Sequence, residues 1–216
     1  MNYIDKKIFR FDEEKIRDGS TISRLIFSNN STSIFLFKNG IDTSISPEGY
    51  DYEKLYFNIK GIVEIDINNN KTLLNPYQII KTSKHSLVGT NSISDNIYLE
   101  INIGGNEKMN KVLKDNEVFN LADLVDYDKC SIVNTDLINN NELKAVLMSF
   151  DKGTGLSEHR APGDALVTIL EGTALVGYEG KEYTLKKGDS IAFKKNGRHY
   201  LTAIENFKMM LIVEKH

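Results

Sequence analysis

The chain has 216 residues, 40% of them hydrophobic and 26% charged, with a formal net charge of −3; that length suits one large or two small globular domains, and the acidic total disfavours a nucleic-acid partner, which requires a basic stripe. No run approaches the roughly 18 apolar residues of a membrane span, and the opening MNYIDKKIFRFDEEK lacks the apolar core and cleavage site of a signal peptide. The single cysteine, Cys130, cannot form an internal disulfide, so the expected compartment is the cytoplasm, with no membrane association.

Taken in chain order, helical periodicity is scarce. Asp12–Arg17 has room for a turn or two of helix. Ser33–Phe37, Leu55–Ile59 and Ile62–Ile67 then read as short strands, followed by helical turns over Glu107–Lys114 and Leu121–Tyr127. Leu143–Phe150, Leu166–Leu170, Thr173–Tyr178 and Lys208–Glu214 are strands again. In Ala145-Val-Leu-Met-Ser-Phe150 both parities are mostly apolar, which predicts a strand covered on both faces. Asn68-Asn-Asn70 and Asn139-Asn-Asn141 suit turns that tolerate φ > 0. The lysine pairs Lys186–Lys187 and Lys194–Lys195 read as solvated loop charges. Many short strands with turn signals between them predict a sandwich or barrel.

The strands also repeat. Phe9-Arg-Phe11 matches Phe119-Asn-Leu121, and Asn29-Asn30 matches Asn139-Asn140, both at an offset of 110. Asn58-Ile-Lys-Gly61 matches Ile169-Leu-Glu-Gly172, and Lys71–Leu74 matches Glu182–Leu185, at 111; Phe37-Lys-Asn-Gly40 matches Phe150-Asp-Lys-Gly153 at 113. Two copies are too few for a solenoid, so two self-closed domains are expected, residues 1–115 and 116–216, divided in the polar stretch NEKMNKVLKDNE.

From Gly153 onward the chain resembles a cupin. The first motif reads Gly155-Leu-Ser-Glu-His159-Arg-Ala161-Pro-Gly-Asp-Ala165-Leu-Val-Thr-Ile-Leu-Glu-Gly172, and the second Gly188-Asp-Ser-Ile-Ala-Phe-Lys194-Lys-Asn-Gly-Arg-His199. The resemblance covers residues 119–216 well and 9–103 weakly. It implies an all-β chain of two tandem jelly-roll (double-stranded β-helix) barrels related by internal duplication, a bicupin. It also implies that His159 and His199 stand at the first and last histidine positions of a four-ligand metal set. Ala161 replaces the second histidine, Ala165 the glutamate, and Lys194 the usual proline.

Residues two apart on a strand share a face, so a His-x-His pair aims two imidazoles inward. With two of four ligands replaced, and catalytic centres usually keeping three, a small-molecule pocket is favoured over a metal site. The pocket is expected to comprise His159, His199, Ala161, Ala165, Tyr183 and Tyr200. Should a divalent transition metal (Fe, Mn, Ni or Zn) bind, Asp164 is the third ligand that remains, provided a bulge turns it inward. A metal-dependent oxygenase or isomerase is the rival reading; a non-catalytic scaffold acting as a homodimer is the third. Whether the chain is an enzyme stays open.

The amino-terminal copy sets Glu48, Tyr50 and Lys54 opposite His159, Ala161 and Ala165, and His85 opposite Asn196. Those types make no ligand set, so this copy is expected to serve packing or pocket closure. Gly153-Thr-Gly155 and Ile103-Gly-Gly105 lack a following helix and form no phosphate loop, and no Gly-x-Ser-x-Gly elbow occurs. Cys130 is expected to be partly buried and structural, and His216 terminal and mobile.

Overall fold

The computed structural model describes residues 8–104 and 112–215. Most of the expected Glu107–Lys114 turn, and His216, lie outside them. The described residues fall into two compact units, residues 11–104 with 112–120, and residues 8–10 with 121–215. No described helix is long and apolar enough to cross a membrane.

The strands in chain order begin with β1 (Phe9–Arg10), β2 (Thr21–Ser28), β3 (Thr32–Asn39), β4 (Ser44–Gly49) and β5 (Glu53–Lys60). They continue with β6 (Val63–Ile67), β7 (Asn70–Leu74), β8 (Gln78–Thr82), β9 (Leu87–Ser92), β10 (Asn96–Ile103) and β11 (Val118–Asn120). The remainder are β12 (Ile132–Asn139), β13 (Leu143–Phe150), β14 (Gly155–Arg160), β15 (Ala165–Glu171), β16 (Thr173–Tyr178), β17 (Lys181–Lys186), β18 (Asp189–Phe193), β19 (Arg198–Ala203) and β20 (Phe207–Glu214). In place of the helical turns expected at Asp12–Arg17 and Leu121–Tyr127 there are single 3-10 turns, Phe11–Glu13 and Leu121–Leu124.

Each unit is a jelly-roll barrel of two antiparallel sheets. One has a six-stranded sheet, β11-β8-β5-β10-β3-β2, and a four-stranded sheet, β4-β9-β6-β7. The other repeats the order strand for strand, β1-β18-β15-β20-β13-β12 and β14-β19-β16-β17. The short first strand of each plan comes from the part of the chain preceding the 3-10 turn. Thus β1 pairs with β18, and β11 pairs with β8. A cut at 115/116 leaves β11 apart from β8 and β1 apart from β18.

The duplication is a repeat of 111 residues over most of the plan, for example Thr32–Asn39 against Leu143–Phe150. Register corrects the match at 113. Asn39 pairs with Asn96 and Phe150 with Phe207, so Phe150 corresponds to Asn39, not Phe37.

Alternation along the strands separates inside from outside. Tyr56, Val63, Ile65, Leu74, Ile80 and Tyr98 fill one barrel; Val167, Ile169, Val176, Leu185, Phe193 and Phe207 fill the other, and burying each such side chain contributes about 1.5–3 kcal/mol. Both parities of Ala145–Phe150 are buried, as its composition requires. Asn68 and Asn69 (φ 53° and 66°) make the two-residue turn between β6 and β7, and Glu179-Gly180 (φ 48° and 75°) the equivalent turn between β16 and β17. At Asn139–Asn141 no left-handed residue is found. Instead, Asn140 Oδ1 accepts from the backbone N–H of Glu142 and Leu143. Cys130 is exposed rather than buried, because it occupies a left-handed turn position (φ 56°) and donates its N–H to Asp151.

Candidate functional site

The site expected around His159 and His199 lies on the β14–β19 ladder of the carboxy-terminal barrel. His159 and His199 are direct cross-strand partners, so their side chains stand on one face. Their ring centroids are 4.2 Å apart and inclined at 54°. What brings them together is a bulge. Leu156 pairs with Leu201, but the register shifts by one residue before His159 meets His199. Without the extra residue at Ser157–Glu158, His159 would face outward. The amino-terminal barrel has the same shift between Ile45 and Glu48, which meets Val88.

His199 is 7% exposed and His159 is exposed, so the pair spans the rim from interior to solvent. Phe193 lies against His199 with ring centroids 4.3 Å apart and planes within 21°. Sequence reasoning missed this residue, although its alternation with Ile191 on the Gly188-Asp strand placed it inside. Each imidazole is tied by Nδ1 to the carbonyl two residues earlier, His159 to Ser157 at 2.8 Å and His199 to Gly197 at 3.2 Å. With Nδ1–H donating to a carbonyl, Nε2 is the ring nitrogen left free of that bond in both rings. Burial pushes the His199 pKa below its ordinary value, and the neighbouring His159 adds to the effect, against the opposing hydrogen bond to Gly197. His199 is therefore neutral at pH 7.

Ala161 and Ala165 face the same interior and are 1% and 3% exposed, packed in the cluster that contains Phe193. Tyr183 pairs with Val176 and packs half-buried against the same core. Tyr200 does not join them. One residue beyond His199 on a strand, it points to the opposite face, where its ring covers Gly177 and its hydroxyl donates to Glu182. The outer face there carries a cleft of about 230 Å³ lined by residues 153–158 and 200–202.

Asp164 is also directed elsewhere, its Oδ1 accepting the backbone N–H of Lys195 at 2.9 Å. Among the described residues no three His, Cys, Asp or Glu side chains converge on a point suited to a metal ion. Two imidazole donors and no third protein ligand do not fit the three-ligand set of a catalytic metal centre. The second barrel position is different again. There Lys54, 4% exposed, makes an ion pair of 3.1 Å with Glu100, beneath the ring of Tyr50.

A family model described as a cupin domain matches residues 146–213. The cupin 2 conserved barrel domain protein from Leptotrichia buccalis is 30% identical, covers 97% of both chains and superposes with a TM-score of 0.83. The salicylate 1,2-dioxygenase from Pseudaminobacter salicylatoxidans is 11% identical over 85% of this chain and 71% of its own, with a TM-score of 0.60, a likeness of fold alone. No curated protein matches the sequence. The two motifs, the duplicated jelly roll and the near full-length match at 30% identity together establish that the chain belongs to the cupin 2 conserved barrel family.

Proposed function

We propose that the carboxy-terminal barrel binds a small organic ligand at its rim, held by the Nε2 atoms of His159 and His199. The observation that carries this reading is the imidazole pair itself, two rings 4.2 Å apart brought onto one face by a bulge, with both Nδ1 atoms already engaged. With Nδ1 of each ring held by a carbonyl, Nε2 is left to accept from the ligand, so the ligand carries hydroxyl or N–H donors close together. Phe193 behind His199 and the short Ala161 and Ala165 supply an apolar wall, the usual combination in a small-molecule site. A thermal-shift screen of a broad metabolite panel tests it, comparing the native chain with the His159→Ala/His199→Ala variant. Ligands that stabilise the native chain and lose that effect in the variant are expected. An unchanged profile removes the basis of the reading. Elemental analysis of protein purified without chelator addresses the metal-dependent rival. One equivalent of metal, lost on His199→Ala, favours that rival over a purely organic ligand.

A further inference from the structure

The amino-terminal barrel carries a second cleft, unrelated to the histidine pair. It has a volume of about 470 Å³ and is lined by the β2–β3 turn (residues 28–33), Asp51, Tyr52, Asn102 and Gly104, within the size range of small-molecule sites, ~300–1,000 Å³. Among the described residues of the lining, every one except Gly104 bears a hydrogen-bonding side chain, and none is Lys, Arg or His. Such a wall selects for a ligand that can both donate and accept, and gives no counter-charge to an anion. Asn102 is 8% exposed, and its Nδ2 donates to Ser33 Oγ at 3.2 Å, but its buried Oδ1 has no partner among the described residues. Whichever way the amide is turned, one end of it is left over, and a buried polar group without a partner opposes folding unless something fills the gap.

The wall behind the cleft is fixed. Asn102 follows Glu100 on the same inward parity of β10 and pairs with Lys54 across the ladder. The Lys54–Glu100 ion pair is buried, and the Tyr52 ring, held against Tyr50 at a centroid distance of 5.1 Å, lies 5.8 Å from Lys54 Nζ. One aromatic face beside a run of hydroxyl and amide groups is the arrangement that holds a ring with C–H bonds on one side and hydroxyls round its edge. We infer that this cleft binds a neutral polyhydroxylated molecule of the monosaccharide or cyclitol class, stacked on Tyr52 and donating a hydroxyl to Asn102 Oδ1.

The test is saturation-transfer NMR on the full chain with glucose, galactose, N-acetylglucosamine and inositol, each at about 5 mM, in the affinity range of weak sugar sites, with benzoate as an anionic control. Transfer to at least one polyol is expected, with none to benzoate. Tyr52→Ala, with unchanged circular dichroism, abolishes it, and Asn102→Leu weakens binding about tenfold, the cost of a missing hydrogen-bond partner. The His159→Ala/His199→Ala variant binds the polyol unchanged, which separates this site from the one proposed above. Transfer from none of the four polyols, transfer that survives both cleft substitutions, or competition by benzoate overturns the inference.

Discussion

Replacing Lys54 by methionine removes one member of a buried ion pair and leaves the other in place. The Lys54 and Glu100 side chains are 5% and 10% exposed, with Nζ and Oε1 3.1 Å apart. At an effective dielectric constant near 20 that separation corresponds to an attraction of about 5 kcal/mol, which largely offsets the cost of removing both charges from water. Lys54→Met loses the attraction while the Glu100 carboxylate stays buried beside Tyr56, so the expected destabilisation is about 3–5 kcal/mol. Lys54→Met/Glu100→Leu removes both charges and the desolvation cost together, and is expected to lie within about 1 kcal/mol of the native chain. Urea unfolding followed by far-ultraviolet circular dichroism measures both, with tyrosine fluorescence as a second signal, since the chain has ten tyrosines and no tryptophan. A single substitution costing under about 1 kcal/mol, or a double variant as unstable as the single one, refutes the assignment of this pair as a coupled internal charge.

The lowered pKa of His199 fixes a pH dependence, because the unfolded chain takes up its proton before the folded one does. The stability it contributes is complete above the ordinary value of 6.5 and is lost as pH falls from there through the folded value; a native curve flat between pH 7.5 and 5, or a fall of the same size in His199→Ala, contradicts this. At Gly172, with φ 72°, an added Cβ would stand 2.0 Å from the Asn206 carbonyl oxygen, whereas at Gly180, with φ 75°, it meets nothing within 4 Å. Gly180→Ala is therefore expected to cost about 1 kcal/mol from backbone strain alone, and Gly172→Ala at least about 2 kcal/mol more, by thermal unfolding; equal costs refute the steric part. Arg10 ties β1 to β18 through Asp189 at 3.0 Å, so Arg10→Ala is expected to lower stability by about 1–2 kcal/mol, whereas an unmoved Tm would show that this ion pair adds nothing to the barrel.

Much of the fold was legible because its signals are local and repeated. The Leu143–Phe150 and Thr173–Tyr178 strands follow from apolar runs bounded by turn residues, and the 110–111 offset exposes the duplication before any coordinate is known. The inward direction of His159 was legible only through the family motif, since plain alternation from Leu156 points it outward and the bulge at Ser157–Glu158 carries no distinctive residue. Tyr200 follows His199 directly in the strand, and adjacent strand residues face opposite ways, so its side chain leaves the expected pocket. Asp164 depended on a local irregularity turning its carboxylate, and that carboxylate instead anchors the Lys195 backbone. The Lys54–Glu100 pair joins residues 46 apart; a lysine at a former ligand position reads as a loss until the facing strand supplies its partner.

We propose that the His159–His199 pair holds the ligand of the carboxy-terminal barrel. It is tested by long-range proton–nitrogen NMR of the imidazoles in histidine-labelled protein at pH 7, as the strongest binder whose stabilising effect is lost in the His159→Ala/His199→Ala variant is added. Both rings are expected to start with hydrogen on Nδ1, and both Nε2 resonances to move with saturation of the ligand. A saturated ligand that leaves the His159 and His199 nitrogens where they began overturns that proposal.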